Sequence, residues 1–156
     1  MRIALFGRYM RNVIAHKRLV AAFMNGVIAD LIWRSATHDD SKFDPAEFDA
    51  YADNLPNFDK ATYGTEEYRA ALARIKPAIA HHYQANRHHP EHFSDGINGM
   101  NLLDVLEMVC DWMAAAQCNP GGTLNLEQQR ERFGIDPQLF AIIQHTVEYL
   151  ERQEER

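Results

Sequence analysis

Residues 101–118, NLLDVLEMVCDWMAAAQC, decide the fold. Leu102, Leu103, Val105, Leu106, Met108, Val109, Cys110, Trp112 and Met113 leave almost no polar face, which predicts a helix capped by Asn101 and buried on nearly all sides. Asp104, Glu107 and Asp111 fall at i, i+3 and i+7, in line on one narrow face. An ionised carboxylate in such a place costs several kcal/mol unless it is paired or bound to a metal. The helix N-terminus accounts for Asp104, and an arginine pair would account for Glu107. Asp111, between Cys110 and Trp112 in mid-helix, points to a functional site.

Outward from this helix, apolar residues recur at helical spacing and no alternating strand pattern is visible. A first helix is expected from residue 2 to about 25, with Leu5, Tyr9, Val13, His16, Val20 and Phe23 on one face turned to the core. A short apolar segment, Val27 to Trp33, follows it. Asp44-Pro45-Ala46-Glu47 opens another helix, with Asp44 as cap, Pro45 first and Glu47 completing a capping box. A loop-like stretch containing Pro56 and Gly64 leads to Thr65, the cap of a helix that runs to about Asn86 and is kinked at Pro77. Beyond the break Asn119-Pro120-Gly121-Gly122, a short helix from about Leu126 to Phe133 ends at Gly134, and Asp136-Pro137 starts the last one. The expectation is an all-α, single-domain helical bundle of six or seven helices over residues 1–156, with C-terminal helices in 124–156.

Composition narrows the function. The 156 residues are 46% hydrophobic and 24% charged, which is globular, and no uninterrupted apolar run approaches the length of a membrane span. The N-terminus has no small-residue cleavage site, so a signal peptide is not expected and a cytoplasmic protein is. A net charge of −6 argues against a sequence-independent grip on nucleic acid. Cys110 and Cys118 lie two helical turns apart, about 12 Å, too far for a disulfide within one helix.

Histidine stands out. Eight are present, five of them between His81 and His92 in HHYQANRHHPEH. On a helix, His82, Asn86 and His89 share a face, with His81 and His88 on the next. Neutral imidazole is the commonest metal ligand, and each ligating ring needs an oxygen to fix its tautomer; Asn86, Glu91 and Asp95 are available for that. Arg87 beside them suits phosphate, since its fork matches phosphate oxygens bidentately. His38-Asp39 opens the cluster HDDSK; turn roles would explain Asp39 and Asp40 equally well. A hydrogen-bonded core histidine would explain His16 taken alone.

A helix-borne histidine, a His-Asp doublet, paired histidines and an aspartate in a buried helix occur here in that order. The chain thereby resembles the HD-domain metal-dependent phosphohydrolases over roughly residues 9–115. HDDSK (38–42), HHPE (88–91) and CDWMAA (110–115) carry the likeness. More narrowly, it resembles a small family of phage and bacterial HD-like proteins. The resemblance implies a divalent metal (Mn, Fe, Co, Ni, Mg or Zn; one or two ions) held by His16, His38, Asp39 and Asp111. His82, His88 and His89 become ligands of a second ion or phosphate contacts. Lys42 and Arg87 hold substrate phosphate, and Asp104 or Glu107 orients ligands or steers a proton, with Asn86 and Glu91 behind them. No GYP tripeptide follows the doubled histidine, which departs from the cyclic-dinucleotide branch. Lys42 stands where monometallic nucleotidases carry an acid, a place Asp40 or Glu47 would have to fill.

The implied activity is hydrolysis of a small phosphate ester, foremost a nucleoside mono- or triphosphate, in the cytoplasm of a bacterial or phage-infected cell. The alternative is a non-catalytic nucleotide- or metal-binding accessory protein on the same scaffold. A di-iron carboxylate bundle would need paired Glu-x-x-His motifs, and the chain has none. The apolar positions Leu139, Phe140, Ile143, Val147 and Leu150 of the last helix suit a core or a homodimer interface.

Overall fold

The structure, a computed structural model, describes residues 2–58, 60–61, 65–118 and 123–154. Gly64, the 119–122 break and the last two residues lie outside the described residues. The protein is all-α: seven α-helices and three short 3-10 segments occur among the described residues, and no strand does. The chain divides into two compact units, Met1–His38 and Asp39–Arg156.

The first unit is one helix, α1 (Arg2–Thr37). Where the sequence suggested an end near residue 25, the helix continues. Gly26 costs only about 1 kcal/mol in a helix interior, no proline interrupts the hydrogen bonds, and an Arg34–Asp30 pair at 2.8 Å, one turn apart, supports the distal half. The expected core-facing stripe is not buried: Leu5, Tyr9, Val20 and Phe23 are exposed, and so is His16. The segment Leu5–Phe43 contains an 18-residue window of mean hydropathy 1.3, none of it buried, long and apolar enough to cross a bilayer. The window is interrupted by polar residues and so contains no single long apolar run. The capacity to cross a bilayer is a property of length and composition, shared with signal sequences and core helices.

The second unit opens with a 3-10 turn, Asp40–Phe43, followed by α2 (Pro45–Phe58), α3 (Glu66–Arg74) and α4 (Lys76–Ala85). Helix α2 starts at Pro45 as its fixed φ favours, and it runs through Pro56, which the sequence placed in a loop. Pro56 falls in the last turn, where it forfeits one N–H bond of the ladder and only two helical residues follow it. Thr65 caps α3, its hydroxyl accepting from the Tyr68 N–H at 3.3 Å. The expected kink resolves into a break at Ile75, with Pro77 in the first turn of α4.

Two further 3-10 turns, Pro90–His92 and Gly96–Gly99, lead to α5 (Leu102–Cys118), α6 (Leu126–Phe133) and α7 (Pro137–Glu154). The core gathers Met108 and Val109 of α5 with Phe140, Ile143 and Val147 of α7, plus Ile97 and Ile135. Each such side chain contributes about 1.5–3 kcal/mol by leaving water. α5 is not buried all round, since Leu102 and Cys110 are exposed. Gly134, at φ 62°, closes α6 in a left-handed cap, and the Asp136 carboxylate accepts from the N–H groups of Gln138 and Leu139 at 2.8 and 3.0 Å.

Candidate metal centre

Asp39 adopts φ 60°, ψ 17°, the one left-handed non-glycine residue among those described, and from there the chain enters the 3-10 turn 40–43. Aspartate tolerates this conformation better than most residues, and such strain concentrates at functional positions. Its carboxylate is mostly buried. Lys42 Nζ donates to Oδ2 at 2.6 Å, while Oδ1 is closed to solvent and lies 3.3 Å from His82 Nε2 and 3.4 Å from His88 Nε2.

The histidines do not share one helix. α4 ends at Ala85, Asn86 turns out of it in an extended conformation, and the loop 86–89 returns His88 and His89 to His82. Asn86 fastens this turn, its Nδ2 donating to Ser41 Oγ at 2.7 Å and to the His82 carbonyl at 2.9 Å.

The tautomers follow from the network. Fully buried Glu47 accepts from His81 Nδ1 at 2.8 Å and from His82 Nδ1 at 2.9 Å. Asn86 Nδ2 also lies 3.1 Å from His82 Nδ1, but both of its hydrogens are committed elsewhere, so the ring hydrogen belongs to Glu47. Similarly, His88 Nδ1 faces Glu107 Oε1 at 3.2 Å. In the neutral rings, Nε2 of His82 and of His88 is left as a lone pair turned toward the Asp39 carboxylate. His89 Nε2 stands 2.9 Å from His82 Nε2.

Acceptor atoms converging at these distances suit a cation. Two ligands about 2.1 Å from a common ion lie roughly 3.0–3.4 Å apart at octahedral or tetrahedral angles. Asp39, His82, His88 and His89 each present an atom within 4.8 Å of the others, and so could hold a metal ion. Asp111 belongs with Asp39 and His88 to a second group of the same kind. The carboxylate–histidine pairs Glu47–His82 and Glu107–His88 are the outer partners that metal-bound imidazoles usually have.

Electrostatics agree with ligation. Burial, followed by the neighbouring rings of His88 and His82, pushes the His89 imidazole down to about 3. Burial alone would raise Glu47; hydrogen bonds from His81 and Ser41, with the charge of His82, outweigh it and hold the carboxyl below its ordinary value.

Several expected site residues have other tasks. Asp104, without exposed surface, receives both arms of the Arg87 guanidinium, Nε at 3.2 Å and an Nη at 2.9 Å, and caps α5 through the Asn101 N–H at 3.0 Å. The Arg87 fork is therefore engaged by Asp104 and stacks on Phe93, 4.9 Å from the ring centre. Glu91 pairs with Arg132 at 2.9 Å rather than with a histidine. His38 is the residue bonded to Asp39 and the last of the first unit. His16 lies 21 positions before Thr37 on continuous α1, roughly 30 Å at 1.5 Å per residue, so the structure does not bring it to His38.

Glu47 reads in the sequence as a capping acid or as a replacement for the acid that Lys42 displaces, and its 34- and 35-residue reach to His81 and His82 shows that it holds two imidazoles. Arg132 carried no signal; it borders a cavity shared with His89 and Asp111. Residues 6–149 match a family of unknown function, DUF5662, and the chain belongs to that family. No curated protein and no solved structure matches it.

Proposed function

We propose that this protein is a metal-dependent phosphohydrolase acting on a small phosphate ester, foremost a nucleotide. The observation that carries the reading is the convergence of His82, His88 and His89 on Asp39, with Glu47 and Glu107 holding the outer nitrogens of two of the rings. That donor set suits Mn, Fe, Co, Ni or Zn better than a bare carboxylate cluster would. When bound, such an ion supplies a nucleophilic water at neutral pH and neutralises charge on the phosphoryl oxygens.

The chain's own residues do the rest. Glu47 and Glu107 keep the His82 and His88 rings in register, and Lys42 balances the second oxygen of Asp39. Asp111 is a further carboxylate ligand, grouped with Asp39 and His88, and borders the cavity with His89. Of the ligands that the HD-domain resemblance implies, Asp39 and Asp111 stand in this cluster and His38 is bonded to Asp39. His82, His88 and His89 offer further nitrogen ligands.

Elemental analysis of the purified protein, beside a His38→Ala/Asp39→Ala double variant, tests the centre. About one transition metal per chain, lost in the variant, is expected, followed by turnover in a nucleotide screen with Mn, Co and Mg. Absence of metal after incubation with Mn or Co overturns the reading. Metal and nucleotide binding without turnover overturns catalysis and leaves an accessory binding protein.

A further inference from the structure

A cavity of about 250 Å³ opens beside the histidine cluster, with α5 on one side and α6 on the other. His89 and Asp111 line it. So do two aromatic residues: Trp112 and Phe133 stack on each other with ring planes 6° apart and centroids 5.8 Å apart. Gln128 and Gln129 of α6 border the same space, and Gln129 Oε1 is shut off from solvent with no hydrogen-bond partner among the described residues.

A buried amide oxygen without a partner costs about 1–3 kcal/mol, and natural sites leave one so when a ligand or ordered water completes it. Primary amides offer a donor and an acceptor side by side, the pattern that reads the edge of a heterocycle, and aromatic walls favour a planar ring. The volume falls just below the roughly 300–1,000 Å³ of sites for drug-sized ligands, which restricts the occupant to a small molecule.

We infer that the α5–α6 cavity is a recognition site for a planar, hydrogen-bonding heterocycle, read by Gln128 and Gln129 against the Trp112–Phe133 wall, with the heterocycle's phosphate directed to His89 and Asp111. The phosphate half of this inference rests on the proposed hydrolase reading; the ring half does not. It assigns a task to α6, which carries none of the residues of the metal centre. Selectivity among phosphate esters then resides in the C-terminal part of the chain and chemistry in the loops around Asp39 and His88.

Trp112 reports on the site directly, because Trp33 is the only other tryptophan. In a Trp33→Phe background, cytidine and adenosine, their 5′-monophosphates and glycerol 2-phosphate are titrated against Trp112 emission. Saturable changes are expected with the ring-bearing compounds and not with glycerol 2-phosphate. Gln129→Leu should weaken ring binding about tenfold while leaving the far-UV circular dichroism and metal content unchanged. No saturable change at millimolar nucleoside and nucleotide, or equal affinity in the Gln129→Leu variant, overturns the inference. Turnover of glycerol 2-phosphate with the same kcat/KM as the nucleotides overturns it too, while upholding the hydrolase. Nucleoside binding that depends on Gln129, without any phosphate turnover, upholds it and removes the hydrolase.

Discussion

Glu47→Gln is the most informative perturbation of the metal centre. Glu47 has no exposed surface and accepts from two imidazoles, His81 at 2.8 Å and His82 at 2.9 Å. Glutamine keeps the shape but has one acceptor oxygen, so one ring loses its partner or the amide N–H is turned toward a ring N–H. Leaving a buried donor unsatisfied costs about 1–3 kcal/mol in the metal-free protein. The effect on the metal is separable. Losing an outer partner of a ligating histidine typically weakens metal binding about 10–100-fold. At a free metal concentration of about 100 times the wild-type Kd, binding stabilises the wild type by about 2.7 kcal/mol; with Kd raised about 30-fold, the same concentration stabilises the variant by about 0.9 kcal/mol. Urea unfolding of both proteins, with Mn or Zn and with chelator, measures the two quantities independently. A variant that gains the full wild-type increment from metal refutes the argument that Glu47 fixes the His82 tautomer for ligation.

The other expectations concern single groups. Asp111→Asn should abolish phosphate turnover while circular dichroism stays at the wild-type value; undiminished turnover removes Asp111 from the chemistry. The metal-free protein should lose stability as pH falls from about 6.5 toward 3, because His89, depressed to about 3, takes up its proton more readily when unfolded. Glu47, held below its ordinary 4.5, adds a loss in the same direction under pH 4.5; a His89→Gln variant whose urea-measured stability falls equally steeply between pH 6.5 and 4.5 contradicts the His89 part. Asp104→Ala should cost about 2 kcal/mol, less than a fully buried pair, because the released Arg87, about half exposed (47%), returns to water. Its metal affinity should match the wild type, and a fall in that affinity would tie Asp104 to the centre.

Legibility of the fold followed the reach of the forces involved. The starts of α2, α3, α5 and α7 were readable because Pro45, Thr65, Asn101 and Asp136 act within one turn of chain. Gly134 marked the end of α6 for the same reason: its left-handed cap is a single-residue property. What failed was the weighing of weak breakers against a continuing helix. Gly26 and Pro56 each impose a modest cost, and α1 and α2 absorb it. Burial failed for a different cause. A nearly all-apolar α5 looks surrounded, yet apolarity sets only which surfaces tolerate burial, and here Leu102 and Cys110 stay exposed.

In the site, the residue types were readable and their pairings were not. Asp104, Glu107 and Asp111 do lie in line on α5, but that spacing could not say that they serve an arginine, a histidine and the cavity respectively. His82, His88 and His89, ranked behind His16 and His38 by the HD-domain resemblance, stand together with Asp39, because Asn86 ends α4 and folds the doubled histidine back onto its own helix. A motif read linearly assumes that the helix continues through His88 and His89, which would space them from His82 along one face. The turn at Asn86 replaces that spacing with a cage. The carboxylates that accept the Nδ1 hydrogens, and so leave the cage lined by acceptors, are Glu47, on α2, and Glu107, on α5, so it forms only when three helices have met. Metal affinity in this protein should therefore be coupled to folding, rising only as α2, α4 and α5 assemble.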